Sequence, residues 1–208
     1  MVKPDQETIW SKRYRDAGED YLFGVAPNRF LEAHRRFLTA GATALSVADG
    51  EGRNSVWLAE QGLAVKALEI SPVALEKAAR LARGRQVEVE FAQADIMTID
   101  WPIAAFDLVV GIFIQFVGPE DRELLFGRIK QAVKPGGLVL LQGYTPKQLQ
   151  YRTGGPSAVE NLYTEALLRE AFADFELLVL KEYEDELSEG SGHCGRSAVI
   201  DLIARRPA

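Results

Sequence analysis

One cysteine, two histidines, no long apolar run and no excess of basic residues limit what this chain of 208 residues can do. Cys194 alone closes no internal disulfide and cannot build a cysteine zinc site. With His34 and His193 the only imidazoles, there is little material for a metal cluster or a nucleophilic triad. No stretch approaches the roughly 18 apolar residues of a membrane span. The start MVKPDQET lacks the apolar core of a signal peptide, so a cytoplasmic protein is expected. Twenty-four Lys and Arg against 30 Asp and Glu leave a net charge of −6, which argues against a nucleic-acid partner because phosphate binding needs a basic face. A small-molecule partner is the simpler expectation, with the chain a monomer or homodimer and no contact with membrane. Repeats and low-complexity linkers are absent too, so residues 1–208 read as one domain, with 1–28 as an arm or lid. What is present is 47% apolar and 26% charged residues, an ordinary globular composition sufficient for one α/β domain with a substantial core.

The stretch from Ala44 to Pro72, ALSVADGEGRNSVWLAEQGLAVKALEISP, organises the rest. Its halves repeat one plan of a short apolar run, a turn and a helix-forming segment. The first run ends in Asp49-Gly50-Glu51-Gly52, where glycines free the backbone to turn sharply and let something approach closely. The second ends at Glu69, followed by Ser71-Pro72, a helix cap with proline at the first helical position. A strand, glycine turn, helix, strand and terminal acid form the βαβ unit that binds adenosine-containing cofactors. Glu69 follows Gly50 by 19 residues, the spacing at which such folds place a carboxylate on the ribose hydroxyls. A dinucleotide fingerprint keeps a third glycine and offers its helix start to a pyrophosphate. Here Ser55 fills that position and Glu51 adds negative charge beside the turn. Those two features favour a cofactor with a cationic sulfonium and ammonium, S-adenosylmethionine, over NAD; a βαβ unit without a ligand is the bland alternative.

Around this unit the chain reads as follows. Residues 1–28 are polar and aromatic, with Trp10, Tyr14, Tyr21 and Phe23, and predict a mostly irregular arm with a helix over Thr8–Arg15. Such an arm either folds over a cofactor mouth or caps the sheet edge. Phe30, Leu31, His34, Phe37 and Leu38 repeat at helical spacing, which makes His34 a packed residue rather than a catalytic one. Strands are expected at 86–91, 106–112 and 138–142, and helices at 73–84, 122–133 and within 161–173. The almost wholly apolar Phe106–Ile112 suits a central parallel strand. Phe175–Leu180 and Ala198–Ala204 predict two late strands without a helix between them, hence an antiparallel pair. The acidic series Glu182, Glu184, Asp185, Glu186 and Glu189 between them reads as a solvated hairpin rather than a metal site, so no metal is expected.

With these residues in place the sequence resembles the class I S-adenosylmethionine-dependent methyltransferases over nearly its whole length. Within them it is similar to the small tellurite-resistance-type (TehB-like) proteins. The likeness rests on Trp10 with Tyr14, YLFGVAPNRFL, DGEGRNSVWLAEQG, LEIS, FDLVVGIF, KPGGLVLLQGYTP and GHCGRSAV. It implies a three-layer, Rossmann-like α/β fold whose mostly parallel seven-stranded sheet ends in an antiparallel hairpin strand. It also implies direct in-line methyl transfer to a small-molecule acceptor. Two positions depart from the family pattern: Ser46 stands where an acid is usual, and Ala48 where glycine is usual. Asp49 is the candidate to restore the missing charge, and Ala48 is tolerable if its φ stays negative.

The residues expected at the cofactor are Gly50, Gly52, Arg53 and Asn54 around the methionine moiety, Glu69 at the ribose, and Asp95 and Ile96 at the adenine, with Ala48, Asp49, Ile70 and Ser71 also expected to bind it. Gly111 and Gln115 are placed on the methyl-donor side. Tyr144, His193 and Arg196 are the acceptor-side candidates, the last two able to orient an anionic acceptor. A soft anionic nucleophile needs no base, whereas an alcohol or amine does. Two alternatives remain open at this point: a non-catalytic S-adenosylmethionine-binding sensor or assembly partner, and an NAD-dependent oxidoreductase.

Overall fold

The computed structural model describes residues 5–208, so the first four residues of the expected arm lie outside the described residues. Seven strands form one sheet: β1 (Thr43–Val47), β2 (Ala64–Glu69), β3 (Glu90–Gln93), β4 (Phe106–Ile112), β5 (Val133–Tyr144), β6 (Glu176–Glu189) and β7 (His193–Arg205). Their order is β3-β2-β1-β4-β5-β7-β6. The first five run parallel, and β7 is inserted antiparallel between β5 and β6. Six α-helices accompany them: α1 (Gln6–Asp16), α2 (Arg29–Ala33), α3 (Arg53–Glu60), α4 (Pro72–Arg85), α5 (Pro119–Ala132) and α6 (Glu165–Ala171).

Strand alternation builds the layers. Ala44, Leu108, Val110, Leu140 and Ile203 point to one face, where they pack with Phe30 and Leu31 of α2 and Leu58 of α3. Their neighbours Leu45, Val109, Val139, Leu141 and Leu202 point to the other, against Leu125, Phe126 and Ile129 of α5 and Leu168 of α6. Side chains leave a strand on opposite faces in turn, so a run apolar at every position needs cover on both sides. Helix starts follow the local sequence. Ser71 Oγ accepts from Ala74 N at 3.2 Å ahead of Pro72, and Thr164 Oγ1 accepts from Leu167 N at 3.2 Å. Each satisfies a donor that the first helical turn leaves open.

Two expectations are corrected. The third strand occupies 90–93 rather than 86–91, because Gln86 takes a left-handed conformation (φ +58) as the C-cap of α4 and the chain must first leave the helix. The acidic stretch 182–195 is not a separator between short strands. It is the outer half of one long hairpin, with Glu189 paired to His193 and Gly190, Ser191 and Gly192 at the tip. Carboxylates alternating along β6 are compatible with a strand because β6 is the sheet edge, where outward charges discourage further pairing. The helix expected at 8–15 is present as α1, and the arm runs from it along α4 to the tip of this hairpin.

Candidate active site

The parallel strands end on a common edge, and a cavity of about 610 Å³ opens there, the usual location for ligands in open α/β sheets. Its volume is in the range of small-molecule sites. Leaving β1, Ala48 adopts φ +49 and Gly50 φ +64. The expected negative φ at Ala48 is therefore wrong: the turn keeps the glycine-like backbone and alanine carries the strain. Gly50 N donates to Glu69 Oε2 at 2.9 Å, and Ser71 N donates to Glu69 Oε1 at 2.9 Å. The bend after β1 and the acid ending β2 thus face each other. A carboxylate offers about four lone-pair positions, so two remain for hydroxyl groups. A Cβ on Gly50 would lie 2.9 Å from the Tyr14 hydroxyl, so the glycine lets the arm pack closely on the bend.

Asp49 occupies the space that the unusual Ser46 leaves. Ser46 Oγ donates to Asp49 Oδ1 at 2.6 Å, and Ser55 Oγ donates to Oδ2. The carboxylate is fixed at the cavity wall, three residues beyond Ser46, where the resemblance places an acid. Burial pushes the Asp49 and Glu69 carboxyls above their ordinary values, against the hydrogen bonds that favour the charged forms. Farther along the edge, Asp95 accepts from Met97 N at 2.8 Å and Ile96 packs nearly buried beside it.

The arm forms the roof. Trp10, Tyr14 and Phe23 line the cavity and pack on one another with ring centroids 5.9–6.5 Å apart. Arg53 Nη1 donates to Phe23 O at 3.3 Å, and Gly192 N donates to Leu22 O at 2.9 Å. On the opposite side Lys77 of α4 donates to Tyr14 O, Asp20 O and Glu51 Oε1 at 2.8–2.9 Å. This pairing corrects the argument from Glu51. Its charge is neutralised by buried Lys77 and it does not line the cavity. The negative wall comes instead from Asp49, Glu69 and Asp95.

Of the residues expected from sequence, Ala48, Asp49, Gly50, Arg53, Asn54, Glu69, Ile70, Asp95, Ile96 and His193 line the cavity. The others do not. Gly52, at φ +89, faces α4, where a Cβ would lie 2.7 Å from that of Ala78, so it serves helix packing. Ser71 is buried and bonded to Ser11 Oγ at 2.8 Å. Gly111 is packed under Ile114 and Leu141. Gln115 clamps the backbone of Tyr144, donating to its O at 2.9 Å and accepting from its N at 2.5 Å. Tyr144 is buried behind Phe113, ring centroids 4.5 Å apart, and burial pushes its phenol far up. Arg196 is a clear correction: its side chain is 65% exposed and ion-paired to Glu184 at 2.6 Å, away from the cavity.

Of Tyr144, His193 and Arg196, His193 is the one that lines the cavity. Its ring lies 4.4 Å from both Phe23 and Phe113. Burial, with Arg53 nearby, lowers its pKa against the opposing pull of Glu189. Glu189 itself is buried rather than solvated as expected. It pairs with Arg53 Nη2 at 2.8 Å, accepts from Asn28 Nδ2 at 3.0 Å, and lies 3.8 Å from His193 Nδ1. Burial opposes its ionisation, yet His193 and Arg53 hold its carboxyl at about 2. Sequence reading missed Glu189 and gave Phe113 and Phe116 no role. Only the arm aromatics carried a visible signal, as apolar rings in an otherwise polar segment. Among the described residues, no group of three or more His, Cys, Asp or Glu is placed to hold a metal, and no helix is long and apolar enough to cross a membrane.

This strand order, with a glycine bend after β1 and an acid ending β2, defines the Rossmann-like fold of class I S-adenosylmethionine-dependent methyltransferases. Residues 44–137 match the family described as a methyltransferase domain. The chain is 30% identical over 122 residues to the carboxy-S-adenosyl-L-methionine synthase of Photorhabdus laumondii, covering 58% of this chain and 47% of that protein. It spans about half the length of the curated relatives it matches. Among solved structures it is similar to N-methyltransferase NodS of Bradyrhizobium japonicum in complex with S-adenosyl-L-homocysteine, with TM-score 0.73 and 13% identity over 98% of this chain and 100% of that one. TehB of Haemophilus influenzae gives TM-score 0.67 and 19% identity over 96% and 66%. TehB is one neighbour among many, so the narrower tellurite-resistance likeness is not singled out.

Proposed function

We propose that the protein is an S-adenosylmethionine-dependent methyltransferase acting on a small-molecule acceptor. The observation that carries this reading is the apposition of Gly50 N and the Glu69 carboxylate at 2.9 Å on the wall of an acid-lined cavity. Arg53 is the one lysine or arginine lining the cavity among the described residues, and Glu189 neutralises it. A sulfonium and an ammonium suit such a wall; a pyrophosphate does not. Glu69 would hold the ribose, Asp95 and Ile96 the adenine, and Asp49 with Asn54 the methionine end. The bound cofactor supplies a methyl carbon already activated by positive sulfur. The chain's task is then to align the acceptor and keep water out, and positioning of this kind contributes several kcal/mol to a displacement. Trp10, Tyr14 and Phe23 provide the dry roof.

The tellurite-type likeness points to a soft anionic acceptor, but among the described residues no unpaired Lys or Arg lines the cavity to attract one. Incubating the protein with S-adenosylmethionine and a panel of phenols, amines and thiols should yield S-adenosylhomocysteine by mass spectrometry. A companion thermal-shift series should show stabilisation by S-adenosylhomocysteine and none by NAD. Stabilisation by NAD alone would reverse the assignment.

A further inference from the structure

We propose that His193, oriented by Glu189 and Arg53, is the base that takes a proton from a neutral O–H or N–H acceptor whose apolar body rests on Phe23 and Phe113. The inference rests on the methyltransferase reading and names the acceptor class for the same cavity.

Three observations converge. His193 lines the cavity, while its Nδ1 is buried, makes no hydrogen bond and lies 3.8 Å from Glu189 Oε2. Catalytic hydrogen bonds are often long before substrate arrives, and a carboxylate on that side favours the tautomer with hydrogen on Nδ1. Nε2 is then the nitrogen with a free lone pair. Glu189 is not free to turn away, because Arg53 pairs with the same Oε2 that faces His193 and Asn28 donates to Oε1. Phe113 adopts φ +56, a strained conformation for an aromatic residue that persists only when its surroundings impose it. That strain seats its ring on the cavity wall against His193.

The charges decide the acceptor class. The groups facing His193 are Glu189 from β6, Arg53 from α3, Arg13 from α1 and the neutral Tyr144 from β5. The nearest cation, Arg53, is spent on Glu189; Arg13 lies over the Trp10 ring and does not line the cavity, and the other charged residues lining it, among those described, are acids. An anionic acceptor meets repulsion there, and a neutral one needs a base. In the step, the acceptor's oxygen or nitrogen forms its bond to the methyl carbon as the carbon–sulfur electron pair leaves on sulfur. The acceptor's proton passes to Nε2, and the imidazolium so formed directs Nδ1–H at Glu189. Glu189 and Arg53 are positioning residues; of the three, only His193 touches the acceptor.

With only two histidines, nitrogen-15 imidazole spectra resolve the question directly, a His34→Gln variant giving the assignment. Wild-type His193 should carry its proton on Nδ1 at pH 7.5 and titrate below the ordinary value of about 6.5. In Glu189→Gln the Nδ1–H preference should be lost and the titration midpoint should fall further. If that variant does not fold, His193→Asn supplies the test: S-adenosylmethionine affinity within about threefold of wild type, with loss of 2-naphthol binding. In the presence of S-adenosylhomocysteine, 2-naphthol should bind at least about tenfold more tightly than 2-naphthoate and shift the Nε2 signal. An Nε2–H tautomer in the wild type, a histidine spectrum unchanged in Glu189→Gln, naphthol binding unchanged in His193→Asn, or no preference for naphthol overturns the proposal while cofactor binding stands. A blank titration with S-adenosylmethionine overturns the methyltransferase reading itself.

Discussion

Ser46 and Ala48, the two departures from the pattern the chain resembles, leave the bend its left-handed backbone at Ala48 and a carboxylate at Asp49 bonded to Ser46. A left-handed alanine costs about 1–2 kcal/mol, so Ala48→Gly should raise the thermal midpoint by about 2–8 °C. Asp49→Asn preserves the size of the side chain bonded to Ser46 and Ser55 but removes its charge; calorimetry should show weaker S-adenosylmethionine binding, and unchanged affinity would reject the role. The carboxyls of Asp49 and Glu69 are raised by burial. Above those raised values both are charged and carry their desolvation cost. As pH falls through them each takes up a proton, so these two groups favour the folded state at lower pH while their pull on a sulfonium is lost. The dissociation constant for S-adenosylmethionine should therefore rise between pH 7.5 and 5, with no matching loss of stability from these groups. Gly50 and Glu69 were legible in the sequence because spacing alone joins them. Gly52 and Gly111 were not, since a glycine in a motif looks the same whether it admits a ligand or a neighbouring helix. Arg196 and Glu189 were misplaced for a related reason: on a hairpin, exposure alternates with each residue, and a charged residue does not announce its face.

At the scale of elements, the arm is held by donors aimed at its backbone carbonyls. Lys77 serves two of them and neutralises Glu51, its own side chain 5% exposed and that of Glu51 2%. Removing one member of such a pair leaves a buried charge uncompensated and costs about 3–5 kcal/mol. Lys77→Met should therefore lower denaturant stability by that amount, and Lys77→Met with Glu51→Gln should recover most of it. The hairpin tip is the second anchor. A Cβ on Gly190 would lie 2.5 Å from Gly24 N, and Gly190 has φ +65. Gly190→Ala should speed hydrogen exchange in residues 20–28 and raise the cofactor dissociation rate; unchanged exchange would show that the tip does not hold the arm. Amphipathic helices and the late strand pair could be read from periodicity. The length of the hairpin could not, because the alternating carboxylates that make β6 a protected edge have the same composition as a solvated loop.

For the whole molecule, the sheet order and the surplus of acid follow one logic. Parallel strands bring the ends of β1, β2, β3 and β4 to one rim, while the antiparallel β6–β7 hairpin reaches forward to set His193 and Glu189 on the same rim. The cavity is thus lined by the ends of the parallel strands and by the tip of the last hairpin, under a roof from the arm. The βαβ plan makes the Gly50–Glu69 part of the rim legible; the placement of His193 depends on strand length and register, which local sequence does not encode. Calorimetric titration of S-adenosylmethionine into wild type and Glu69→Ala addresses the central claim most directly. The structure predicts saturable one-to-one binding to the wild type, weakened at least about tenfold in the variant, and no heat with NAD. Equal binding by wild type and variant, or a preference for NAD, would contradict it.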